Sequence, residues 1–528
     1  MWQLKEYHIE RFLAHFETSQ GKKLIFNIVF FSKLLFFIIP IIFSLSYLAK
    51  FHGPSCNDCI PFLTSTPAST IVSFIGLFLT YLFEAAWSIN NLRQNRIKKP
   101  VLTSKVIFLI LICYILLIPL FVFIFSNNVY ILIIFDLLIP LIVSAIVLLF
   151  QPFTALMRNM IIRKAIAKRN KFKKLLVIGI TGSYGKTSTK EFLATILSQK
   201  FKVLKTKEHR NSEVGVSRTI LEELNSKHEV FICEMGAYNR GGIKLLCRIA
   251  QPKIGIITGI NEQHLSTYGS LDNIVKTKFE LIESLPQEGT AILNGDNKLI
   301  RTELEHRRFK VKKQKVYSFR DKIDVWSENV VIDRNLVSFK ACSSDGDCAD
   351  FKVSVFGFHN ISNLLAAITC AKELGMNMEE IASACYKIEG SQSGMKIIKR
   401  FDGLNVIDAS YSANPDSVIS HLEYLSFWNG QRIIIMPCLI ELGSASSRIH
   451  VMIGEEIAQV CDLAVITTKD RFKEIKAGAI SQGMKKENIV FSENPRQILE
   501  KVCKFARPGA VILLESRVPG SVIKRLYG

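Results

Sequence analysis

The run TGSYGKTST at positions 181–189 holds the most explicit chemistry in this 528-residue chain. Gly182 and Gly185 have no Cβ, so the backbone N–H groups around them can approach an anion at the start of a helix. Lys186 can neutralise β- and γ-phosphate charge and the Thr187 hydroxyl can ligate Mg²⁺, with Ser183 and Ser188 lining the same turn. Ile180 stands where a strict Gly-x4-Gly-Lys pattern would place its first glycine. The preceding LLVIGI (175–180) reads as a buried parallel strand, and the following KEFLATILSQ reads as a helix. Strand, glycine-bearing turn and helix together predict a nucleotide-phosphate loop.

Two further segments bring groups that such a loop needs. EVFICEMGA (229–237) reads as a second buried strand ending at Glu234, and a carboxylate at the C-terminal end of a neighbouring strand can hold the metal. Alone it would be an ordinary strand-end acid. IGIITGINEQHLSTYGS (254–270) repeats the strand-then-loop pattern and displays His264. A lone histidine is most often structural, so His264 gains weight only from its company.

These elements occupy the last two-thirds of the chain; the first third is of another kind. Hydrophobic residues make up 49% of the whole, with 36 Phe, and the formal charge is +21. Residues 1–175 hold 19 Lys and Arg against 6 Asp and Glu, so most of the surplus lies among the most apolar segments. Basic residues around long apolar runs mark membrane flanks rather than a nucleic-acid surface. Four stretches, about 24–49, 68–89, 104–126 and 129–150, approach the roughly 20 residues that a bilayer core requires. Lys33, Glu84 and Asp136 interrupt them, and an acid there can mark a functional site or simply face the bundle. Lys and Arg cluster before the first stretch, in the second connection and after the fourth, which predicts cytoplasmic termini. Cys56 and Cys59 would then lie outside. Residues 151–172 mix apolar and basic positions and read either as a cationic helix on an anionic membrane surface or as a charged linker helix.

From 173 onward the chain resembles the Mur ligase family, closest to its MurF type, the UDP-N-acetylmuramoyl-tripeptide–D-alanyl-D-alanine ligases. The pieces stand in family order: TGSYGKTSTKE (181–191), NSEVG (211–215), CEMGA (233–237), NEQHLSTYGS (261–270), TKFE (277–280), LNGDN (293–297), GFHNISNLLAA (357–367), SYSANPDS (410–417), IELG (440–443) and ESR (515–517). The resemblance implies that Lys186 and Thr187 bind ATP phosphates and Mg²⁺, and that Glu234 and His264 hold a second Mg²⁺. It also implies that Lys278 is carbamylated into an anion that helps position metal. Asn360, Asn363 and Asp408 would line the nucleotide site. Asn211, Ser410, Tyr411, Asn414, Pro415 and Glu441 would face the carboxylate substrate and the incoming amine. The chain departs from the family pattern at Ala409, Met395, Cys438, Glu515 and Asn239. Four apolar stretches stand where soluble members carry their UDP-sugar domain.

The implied reaction moves the γ-phosphoryl group of ATP onto a substrate carboxylate, and an amine then displaces phosphate from the acyl phosphate. Two anions must meet, so Lys186 and two Mg²⁺ ions are needed to screen their repulsion. The expected architecture is a four-helix transmembrane domain (1–150), a basic linker helix (151–172), an α/β central ATP-binding domain (173–388) and a Rossmann-like α/β C-terminal domain (389–528). The expected partners are a muramyl peptide precursor, an amino acid or dipeptide, and membrane lipids, with no nucleic acid. The expected location is the bacterial inner membrane, multi-pass, with the catalytic domains cytoplasmic. A related ligase acting on a lipid-linked or other acceptor, and a non-catalytic ATP-binding membrane scaffold or transport component, remain alternatives at this stage.

Overall fold

LVIGIT is apolar on both faces, so β1 (Leu176–Thr181) lies at the centre of a sheet rather than on its surface. In the computed structural model, which describes Phe12, Gly21 and residues 27–51, 67–93, 101–127, 129–207, 210–334, 336–400, 402–410 and 414–527, the chain divides into two compact units, Met1–Met157 and Arg158–Gly528.

The first unit is helical: Ile28–Phe51, Pro67–Arg93, Ser104–Asn127 and Val129–Leu149. Of the described residues, Lys105–Phe123 forms the one unbroken helical stretch long and apolar enough by itself to cross a membrane. Ile28–Ile39 is a shorter apolar stretch, and Ile133–Leu149 joins Gln151–Asn170 at a 41° bend. The polar residues that interrupt the apolar runs find one another. Lys33 Nζ lies 2.6 Å from Asp136 Oδ2 and 2.7 Å from Glu84 Oε2, and the Tyr81 hydroxyl donates to Asp136 at 3.0 Å. The charges therefore join three helices around the buried Lys33. Cys56 and Cys59 lie outside the described residues.

In the second unit β1 belongs to a nine-stranded sheet with β2 (Val203–Lys205), β3 (Val230–Glu234), β4 (Ile254–Ile257), β5 (Thr290–Asn294), β6 (Lys313–Ser318), β7 (Val325–Ile332), β8 (Val337–Ser343) and β9 (Cys348–Val353). The order is β2-β3-β1-β4-β5-β6-β7-β8-β9. It is parallel through β7, and β7 to β9 form an antiparallel meander in which Cys342 and Cys348 are disulfide-bonded. Because β1 is flanked by β3 and β4, the chain leaves it in opposite directions across the sheet, and the crevice beyond its carboxyl end is where such folds bind ligands. Helix Lys186–Leu197 packs Phe192, Leu193, Ile196 and Leu197 on one face of the sheet. Helix Leu271–Glu283, N-capped by Ser270, packs Ile274, Phe279, Leu281 and Ile282 on the other.

A six-stranded sheet follows: β10 (Lys396–Lys399), β11 (Asn405–Ala409), β12 (Arg432–Met436), β13 (Leu463–Ile466), β14 (Ile489–Phe491) and β15 (Val511–Glu515). Its order is β10-β11-β15-β12-β13-β14, parallel except for the edge strand β10, with apolar cores on both faces. Helix Gln151–Asn170 is anchored to the central part of this unit. Ile162 and Ala165 are buried there, and the Arg169 guanidinium donates to the carbonyls of Ala250 and Phe172 at 2.9 Å and of Leu175 at 3.3 Å.

Candidate active site

The turn after β1 is tight at both of its glycines. Gly185, at φ 77°, caps helix Lys186–Leu197, and a Cβ there would sit 2.3 Å from Asn363 Oδ1. A Cβ on Gly182 would sit 2.2 Å from Thr258 Oγ1. Ser183 is tied to the end of β4, its N–H donating to Gly259 O at 2.7 Å and its Oγ accepting from Asn261 N at 3.1 Å. Lys186 folds back on the loop and donates to the carbonyls of Gly182 (2.7 Å) and Ser183 (3.1 Å). Enclosure by protein pushes its ammonium below its usual pKa, with the Glu234 charge opposing. Ser188 is half-buried in the first turn of the same helix.

Glu234 ends β3 beside this turn and is almost fully buried. The Thr187 hydroxyl lies 3.1 Å from both of its oxygens, Asn211 Nδ2 donates to Oε1 at 3.0 Å, and Lys190 Nζ lies 3.2 Å from Oε2. Burial works against the ionised form, yet Lys190 and Lys186 outweigh it and hold the carboxyl below its ordinary pKa. Thr187 and Glu234 are thus oxygen donors placed side by side, a fit for a hard divalent cation.

His264 enters from the loop after β4 with a left-handed backbone (φ 65°), and its Nδ1 lies 2.5 Å from Glu441 Oε2 of the C-terminal domain. Tyr238 meets the imidazole edge-on at 5.0 Å. Burial lowers its pKa, with Glu441 opposing and Lys278 and Lys186 adding to the fall. Lys278 shares its helix face with Ile274, Val275, Leu281 and Ile282 and is buried like them. Burial first and Lys186 second pull its ammonium down to about 7. Lys186 therefore couples electrically to Glu234, to His264 and to Lys278, and Lys278 to His264. His264 already has a carboxylate partner, and Lys278 in its ammonium form has no lone pair to offer a metal. Among the described residues no three His, Cys, Asp or Glu side chains converge as a ligand cluster.

Asn414 caps helix Pro415–Ser426, whose first residue is the buried Pro415, and Asn261 donates to both Asn414 and Asp416 across the domain contact. Together with His264–Glu441 these bonds place the C-terminal domain against the loop that follows β4. Asn360 and Asn363 lie behind the phosphate loop instead: Asn360 donates to Phe356 O at 2.7 Å, Asn363 donates to Asn360 Oδ1 at 3.1 Å, and Thr189 donates to Asn363 at 3.4 Å. Asp408 accepts from Ser410 N at 2.8 Å and from the Tyr527 hydroxyl. Tyr411 lies outside the described residues. Lys190, Asn261 and Asp416 lie inside segments that carry the resemblance, but nothing in their residue types alone marked them as site residues.

A family model for the Mur ligase middle domain matches residues 180–371, and one for the Mur ligase glutamate ligase domain matches residues 395–517. The UDP-N-acetylmuramoyl-tripeptide–D-alanyl-D-alanine ligase of Mycobacterium leprae is 30% identical over 379 residues, covering 67% of this chain and 73% of that protein. Its namesake in Escherichia coli is 29% identical over 282 residues, 53% of this chain and 61% of that one. The chain thus spans about three-fifths to three-quarters of the length of these relatives. Among solved structures, MurF from Acinetobacter baumannii superposes with a TM-score of 0.62 at 24% identity, covering 70% of this chain and 80% of that one. MurF from Thermotoga maritima in complex with ADP gives 0.60 at 24%, covering 70% and 83%, and both likenesses speak to the fold. With the middle and C-terminal domains matched in order and two-thirds of its length aligned to a 30% identical relative, this chain belongs to the Mur ligase family.

Proposed function

We propose that this protein is an ATP-dependent ligase of cell-wall precursor synthesis, joining D-Ala-D-Ala or a similar amine to a muramyl peptide carboxylate through an acyl phosphate. The observation that carries the reading is the phosphate loop with Thr187 set against the Glu234 carboxylate, and with Lys186 within electrostatic reach of Glu234, His264 and Lys278. The phosphate loop binds the triphosphate, with Lys186 leaving its two loop carbonyls for the terminal phosphates. Thr187 and Glu234 are the residues that would hold Mg²⁺, which supplies charge screening between triphosphate and acid. Lys278, with a pKa near 7, is in good part the neutral amine that adds CO₂, and the resulting carbamate turns a wrong-signed group into an anion facing the site. His264 would help to hold a second ion only once its imidazole left Glu441. Glu441 and Asn414 bring the C-terminal domain over the site, where exclusion of water protects the acyl phosphate from hydrolysis.

We further propose that the helices of residues 28–149, of which Lys105–Phe123 is by itself long and apolar enough to span a bilayer, form a multi-pass membrane domain that keeps both ligase domains on the cytoplasmic side of a bacterial inner membrane. They also favour a second reading of the acceptor, a lipid-linked muramyl peptide. Purified protein supplied with ATP, Mg²⁺, D-Ala-D-Ala and either UDP-linked or lipid-linked tripeptide should release phosphate with one of the two. Silence with both, from a folded sample that binds ADP, retires the ligase assignment.

A further inference from the structure

Two lysines, one helical turn apart, face the same carboxylate. Lys186 Nζ is committed to the loop carbonyls, whereas Lys190 Nζ is fully buried and lies 3.2 Å from both Glu234 Oε2 and Glu191 Oε1. Glu191 in turn pairs with Lys205 of β2, so the charges alternate from the sheet edge inward: Lys205, Glu191, Lys190, Glu234. A buried ammonium is tolerated only when paired, and a buried carboxylate that loses its cation seeks another. The nearest replacement for Glu234 is Lys186, whose charge it already feels. Such a swap would draw Lys186 off the phosphate path.

We propose that Lys190 is a positioning residue: it serves as the permanent counter-ion of Glu234 and so keeps Lys186 available for the nucleotide's phosphates. This rests on the nucleotide-site reading above but not on the identity of the acceptor. It divides labour between two cations of one helix, one for the ligand and one for the protein's own acid. Lys190 gains no role in touching substrate; its effect passes through Glu234 and Lys186.

The test is ADP affinity of the full chain measured calorimetrically with EDTA present, so that no metal enters. Lys190→Met should weaken metal-free ADP about tenfold. Lys190→Met with Glu234→Gln should bind metal-free ADP more tightly than Lys190→Met alone, because no carboxylate remains to capture Lys186. Lys190→Arg should also retain binding. If Lys190→Met does not fold, a folded double variant with parental affinity still supports the proposal, since only an uncompensated Glu234 separates the two. Unchanged affinity in folded Lys190→Met overturns it, and so does a double variant as weak as the single one, which would mean that Lys190 acts on the nucleotide directly or through packing. Failure of the parent chain to bind ADP at all would refute the nucleotide-site reading instead.

Discussion

His264 and Glu441 meet across the two ligase domains, imidazole Nδ1 to carboxylate Oε2 at 2.5 Å, and both residues hold left-handed backbones, at φ 65° and 66°. Non-glycine residues adopt that conformation at a cost of order 1 kcal/mol each. The contact is therefore maintained by its surroundings and is a natural place for domain opening. Glu441→Gln, which keeps the shape and removes the charge, should loosen it. The expected result is a kcat reduced about tenfold or more with nucleotide affinity little changed, read from steady-state phosphate release alongside ADP titration.

Lys278 gives a sharper test. Lys278→Ala should lower turnover by about 10²-fold or more, the scale of losing one preorganised electrostatic group. Added short carboxylates should restore part of it by standing in for the carbamate. A variant that turns over normally would remove Lys278 from the chemistry.

The phosphate loop leaves no room at Gly185. Gly185→Ala forces a Cβ to 2.3 Å from Asn363 Oδ1 on a backbone at φ 77°. We expect a loss of about 1–3 kcal/mol in stability and a severe loss of ADP binding, checked by thermal melting and calorimetry.

Buried histidines set the response to acid. Burial holds His264 and His450 below their usual 6.5, and takes His359, with its neighbour His421, down to about 3. Each binds its proton less tightly when folded than when unfolded. The unfolded chain therefore binds more protons below about pH 6.5, so stability must fall as pH drops through that value. Melting temperatures between pH 7.5 and 5.5 should decline, and His359→Asn should flatten the decline.

The helical unit invites a charge-balance experiment. Lys33→Met leaves the partly exposed Glu84 and Asp136 side by side without their cation and should destabilise the detergent-solubilised chain by about 1–3 kcal/mol. Adding Glu84→Gln and Asp136→Asn should recover most of that loss. Equal melting of Lys33→Met and the parent would show that the three-way contact contributes nothing.

What the sequence revealed follows from how local each signal is. The phosphate loop, Glu234 and His264 were legible because strand, turn and polar residue are contiguous. Lys278 was reached through family resemblance, although its place in the apolar stripe of Ile274, Val275, Leu281 and Ile282 was itself a sign that it is not a surface lysine. Lys190 was missed because it sits beside Glu191 in a polar stretch, and only the packing of β3 against its helix buries it. The same holds for the apolar stretches. Lys33, Glu84 and Asp136 break the hydropathy pattern one helix at a time, while their compensation is visible only across helices.

Arg169 spends its donors on backbone carbonyls of Ala250, Phe172 and Leu175, unlike Arg158, which pairs with the Glu213 carboxylate at 3.5 Å. A carbonyl cannot be protonated, and counter-ions screen it little. The join between the basic helix and the ATP-binding sheet should consequently persist through brine and mild acidification alike, long after ordinary ion pairs on the exterior have let go.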